Sequence, residues 1–110
     1  WWDIFKFTKD VLINDQSLLT HFASLDFKQV LWTVAGKIKT GKDVSKILDA
    51  GVDFVSIGRS AIVHHDFPAK VMEDSSFIPT DTPVSKAHLH KEGLGEKFIE
   101  YMQRWPGFVK

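Results

Sequence analysis

Two stretches of this chain end in the same way, and the repetition limits how the polypeptide can fold. Val34-Ala35-Gly36-Lys37 and Ser56-Ile57-Gly58-Arg59 each close an apolar run with a glycine and then a cation. The first run, Val30 to Ala35, is rich in β-branched and large apolar residues. It reads as a strand buried on both faces, as in a parallel sheet. Val52 to Ile57 reads as the next strand. Between them Thr40 is a helix cap with Asp43 three residues on, an acid near the positive helix end. Val44, Ile47 and Leu48 form the apolar stripe of that helix, and Gly51 is placed to terminate it. The order strand, helix, strand, helix from Val30 to Asp74 is an α/β signal, and parallel strands joined in this way need a right-handed crossover. Two strands alone do not make a stable sheet.

The flanks are less regular. Trp2 to Phe7 reads as a short strand or loop, and Asp15-Gln16-Ser17 as a cap before Leu18, Leu19, Phe22 and Leu25 at helical spacing. A short helix is expected from Ser60, and Asp66-Phe67-Pro68 restarts a helix with proline in its first turn. From Ser75 to Pro83 the composition turns to Ser, Thr, Asp and proline, which reads as an ordered loop. Two short helices are expected near residues 85–92 and 95–105. The expected organisation is therefore β/α units over residues 1–74 and a loop with a helical tail over residues 75–110.

Composition narrows the function classes. Lys plus Arg number 14 and Asp plus Glu 14, so the formal net charge is zero. That balance does not suggest a nucleic-acid partner held by bulk charge. No apolar run approaches the ~18 residues that span a bilayer, so no membrane partner is expected and the expected location is cytoplasmic. Absence of cysteine excludes disulfides, thiolate metal sites and a cysteine nucleophile. The first residues, Trp1-Trp2-Asp3-Ile4, show neither an initiator Met nor a signal-peptide pattern. The chain reads as processed or as a piece of something longer.

The paired glycine loops are the candidate site. Ligands of parallel α/β folds bind beyond the C-terminal ends of the strands. Glycine lets backbone N–H groups approach phosphate oxygens, and a helix N-terminus adds unpaired donors. Arg59 adds a forked, permanently charged donor set. Each loop alone is also readable as a tight turn with solvated cations. The pair, one β/α unit apart, is more specific, and the candidate phosphate-binding residues are Gly36, Lys37, Gly58 and Arg59.

The segments Val34 to Val44 and Leu48 to Arg59, with Asp66-Phe67-Pro68-Ala69-Lys70, resemble the C-terminal part of the old yellow enzyme family. These are NAD(P)H-dependent flavin oxidoreductases. The resemblance implies a C-terminal βαβα fragment of a (β/α)8 TIM barrel with a helical C-terminal tail. It implies FMN, its phosphate held at Gly36, Lys37, Gly58 and Arg59, with NADH or NADPH as electron donor and a small-molecule electron acceptor. Many members have Gly-Gly where this chain has Gly36-Lys37. The family's acceptor-binding and proton-donating residues come from earlier barrel strands, so no catalytic residue is assigned and the fragment alone is expected to be inactive.

Other chemistry is weakly signalled. His64 and His65 are adjacent and His88 and His90 two apart, which is poor spacing for one helical metal site, and no metal is assigned. Ser56, Ser60 and His64 offer a nucleophile and base without a nucleophile-elbow sequence. Tyr101, the lone tyrosine, reads as a packing residue. The competing readings are a non-enzymatic α/β fragment that self-associates through open strand edges as a homo-oligomer, and part of another phosphate-binding barrel.

Overall fold

The computed structural model describes residues 3–7 and 16–110. Trp1, Trp2 and Asp15 lie outside the described residues. Parallel pairing organises the centre: β1 (Thr33–Ala35) lies beside β2 (Phe54–Ser56), with Thr33 opposite Phe54, Val34 opposite Val55 and Ala35 opposite Ser56. The chain between them contains α2 (Gly41–Asp49). Around this unit run α1 (Leu18–Ala23), α3 (Arg59–Val63), α4 (Phe67–Glu73), α5 (Lys86–Lys91) and α6 (Glu96–Met102). The architecture is mixed α/β with a two-stranded parallel sheet, and the described residues do not form a closed barrel.

Local chemistry sets the helix ends. Thr40 Oγ1 accepts from the Asp43 amide at 3.2 Å, and the Asp43 carboxylate accepts from the Thr40 amide at 3.0 Å. This reciprocal capping box satisfies amides that a helix leaves unpaired. Gly51, at φ +91°, takes the left-handed conformation that ends α2. Ser17 caps α1 through the Thr20 amide, and Ser85 caps α5 through the His88 amide. Pro68 sits in the first turn of α4, where its missing N–H costs nothing.

Two apolar clusters form the interior. The first joins Ile4, Leu19, Val34, Ile38, Ile47 and Val52, and so packs α1 and α2 against β1. The second joins Val63 of α3 to Val84, Leu89, Ile99, Met102 and Phe108. The loop and tail after residue 74 thus wrap onto α3, and Val84 pairs with Val109 in an isolated parallel bridge. Phe67, almost fully buried, meets Phe77 edge to face and anchors the loop that follows α4.

The strands are shorter and more open than the sequence suggests. Val34 is buried, but Val30, Leu31 and Phe54 are 67%, 66% and 58% exposed. The expectation of a strand buried on both faces is corrected: with two strands among the described residues, only one side of β1 finds cover. On α2 the stripe is uneven, with Ile47 fully buried and Leu48 exposed.

Gly41 marks a close backbone approach. Its amide donates to Phe77 O at 2.8 Å, and a Cβ there would stand 2.5 Å from Ser75 O. Backbone cannot retreat as a flexible side chain can. Gly41→Ala is therefore expected to destabilise the fold by about 1–3 kcal/mol, measured by chemical denaturation. Thr40→Ala, which removes the cap, should cost about 1 kcal/mol. Equal stability of Gly41→Ala and the parent would contradict the contact.

Candidate functional site

Parallel register places both strand ends on one side of the sheet, and the loops beyond them open onto a common cavity of about 530 Å³. Its walls are residues 35–40 after β1, residues 56–60 after β2, and residues 78–82, with Val63 and Trp105 completing it. All four candidate residues, Gly36, Lys37, Gly58 and Arg59, line it. The two glycine loops expected to act together do meet.

The loops differ in how they present donors. Gly36 (φ +123°) and Lys37 (φ +53°) both hold positive φ, a tight bend that glycine takes without strain and lysine does not. Among the described residues the amides of Lys37 and Ile38 donate to no backbone acceptor. Lys37 Nζ is 3.2 Å from the Asp3 carboxylate, which turns the side chain toward the N-terminal segment. On the other loop, Gly58 caps α3 without a side-chain hydrogen bond, and the amides of Gly58, Arg59 and Ser60 donate to no backbone acceptor among the described residues. Arg59 is exposed and makes no ion pair within that set.

Ser60 joins the loops. Among the described residues it is the buried polar side chain, and its hydroxyl donates to Lys39 O at 3.1 Å. The first turn of α3 is thereby fixed to the loop after β1. Considered from sequence as a nucleophile and as the start of a short helix, Ser60 also ties together the two glycine-loop walls of the cavity. The signal for this was slight: a small hydroxyl residue in a helix's first turn is common, and its acceptor lies 21 residues away.

Beside the cavity a histidine cluster forms from separate elements. His64 follows α3, while His88 and Glu92 lie in and just after α5, and a ligating atom from each falls within 4.8 Å of the others. Spacing along one helix could not reveal this, because the grouping crosses two helices. Hydrogen bonding decides its chemistry. The Thr80 amide donates to His64 Nε2 at 3.0 Å, so the proton of the neutral ring resides on Nδ1. In that state His64 has no lone pair to give a metal. His88 Nε2 donates to Val63 O at 2.8 Å. Burial raises the Glu92 carboxyl, but hydrogen bonds from the His65 ring and amide, with the nearby His64 and His65 charges, outweigh it and leave the group below its ordinary value. Tyr101 packs against Phe98 and Trp105.

Comparison with known proteins gives one kind of relative. No family model and no solved structure matches the chain. The DNA mismatch repair protein MutL of Buchnera aphidicola subsp. Acyrthosiphon pisum, in strains Tuc7 and 5A, is 30% identical over 95 residues. That match takes in 80% of this chain, which spans 16% of the length of each relative. It overturns the resemblance to the old yellow enzyme family. The flavin oxidoreductase function expected from that resemblance, and the ene-reductase-like flavoprotein description with it, are corrected accordingly. The resemblance rested on two glycine loops and the residues around them, and short loops with glycine and a cation recur wherever a strand turns into a helix. No helix among the described residues is long and apolar enough to cross a membrane.

Ser60→Ala is expected to lower stability by about 1 kcal/mol, the net value of one hydrogen bond, in a denaturant titration. Lys37→Ala, which removes a partly exposed ion pair, should change stability by less than about 1 kcal/mol. A larger loss for Lys37 than for Ser60 would invert the assignment of which residue holds the loops.

Proposed function

We propose that the cavity beyond β1 and β2 binds the phosphate group of a small phosphorylated ligand. The observation that carries this reading is the convergence of both glycine loops on one cavity. Backbone amides at Lys37, Ile38, Gly58, Arg59 and Ser60 lack backbone partners there among the described residues. Phosphate oxygens are strong acceptors and suit such donors. The volume, about 530 Å³, falls within the range of small-molecule sites. Arg59 supplies the paired N–H fork that a phosphate accepts in two places. Lys37 contributes its amide, since Asp3 already holds its ammonium group.

The match to MutL favours a second reading, in which the same donors meet a phosphodiester of a DNA strand and the chain is a segment of a DNA mismatch repair protein. The zero net charge weighs against it, because nucleic-acid affinity draws chiefly on excess Lys and Arg.

Calorimetric titration with inorganic phosphate, AMP and ribose 5-phosphate tests the first reading. Saturable binding is expected, weakened about tenfold by Arg59→Ala, the loss of a charge-assisted hydrogen bond. No binding of any of the three would sink it. Anisotropy with a labelled single-stranded oligonucleotide separates the second reading: binding that falls steeply with salt, without monophosphate affinity, assigns the site to DNA.

A further inference from the structure

The cavity wall formed by residues 78–82 meets one imidazole at Thr80. Thr80 donates its amide to His64 Nε2 at 3.0 Å, and its hydroxyl lies 3.2 Å from the same nitrogen. Thr80, Ile78 and Thr82 line the cavity, as does Val63, the residue before His64. An imidazole nitrogen accepts a hydrogen bond only while it keeps its lone pair. Once protonated it becomes a donor: it can no longer accept from the Thr80 amide, and its N–H has the Thr80 hydroxyl oxygen as its acceptor instead.

The surroundings of His64 come from three elements. From α5 and its end, His88 stands edge to face at 5.5 Å and Glu92 lies close by. From α4 and its cap, Asp66 and Lys70 face it, and from the loop Phe77 packs edge to face at 5.5 Å. Burial disfavours the charged ring and is the largest influence. Glu92 and Asp66 favour the charge, while His88 and Lys70 oppose it. The balance holds His64 below the ordinary histidine value of 6.5.

We propose that His64 is a pH-sensitive latch on the cavity: the neutral ring accepts from the Thr80 amide and ties residues 78–82 to the end of α3, and protonation breaks that amide tie and loosens the wall at Thr80. The sign follows from the lowered affinity for the proton. A ring harder to protonate in the folded state than in the unfolded chain stabilises the latched form fully above pH 6.5. That contribution declines as pH falls below 6.5 and is lost once pH has passed through the lowered folded value. The latch stands on its own hydrogen bonds. Only its consequence for a ligand rests on the phosphate-binding reading.

Nuclear magnetic resonance tests it in the intact chain. The His64 ring nitrogens and the Thr80 amide are followed across pH 4.5–8, together with the Thr80 exchange protection factor. The Thr80 amide shift should track His64 with one midpoint below 6.5. Protection at Thr80 should fall about five- to tenfold across that midpoint, as for the loss of one net hydrogen bond. His64→Gln, which supplies a non-titrating acceptor, should keep Thr80 protected at low pH. A Thr80 amide that ignores the His64 titration overturns the latch, and so does a His64 midpoint at or above 6.5. If His64→Gln misfolds, the parent titration still decides. Co-titration without phosphate affinity would keep the latch and reject the binding reading, whereas phosphate affinity with an indifferent Thr80 would do the reverse.

Discussion

Parallel pairing of β1 with β2 is the constraint on which the rest of this structure depends. Three residues on each strand are enough to set the register. Because the strands run the same way, their C-terminal loops emerge side by side, and every donor of the candidate site follows from that. An antiparallel pairing of the same two strands would send Gly36 and Gly58 to opposite ends. Packing beneath the sheet supports the register: Ile47 of α2 and Val52 before β2 bury against Val34, so a one-residue slip would turn Val34 away from its cluster.

Polar ties then convert proximity into a defined site. Ser60 fixes the start of α3 to Lys39, and the capping box at Thr40 and Asp43 fixes where α2 begins. Gly41 lets the loop after α4 reach the backbone at that same point. Residues 75–82 are thereby drawn across the cavity, where His64 holds Thr80. The two glycine loops and the wall that His64 meets are two sides of one space, each fixed by a few hydrogen bonds between distant parts of the chain.

Much of the local structure was legible because its causes are local. Caps at Ser17, Thr40 and Ser85, the left-handed Gly51 and the first-turn Pro68 each act within four residues of their partners, and their residue types announce them. That the four candidate positions line one cavity has a related cause in the sequence: a glycine and a cation after an apolar run repeat one β/α unit apart. Exposure of Val30, Leu31 and Phe54 was not legible, since an apolar run reports what could be covered and not what covers it. Family membership read from those loops failed because turn chemistry is shared by unrelated proteins.

The amino-acid sequence by itself determined the order of helices and strands, the caps that begin the helices, and the two glycine loops after the strands, since propensity and capping are short-range properties. Only the tertiary structure decided that those loops share one cavity, that Ser60 ties them together while Asp3 takes the Lys37 side chain, and that His64 meets Thr80, His88 and Glu92. Those partners stand 16 to 34 residues apart along the chain. No local rule specifies such pairs: the packing of the two apolar clusters selects them, by bringing α3, α5 and the loop after α4 into contact.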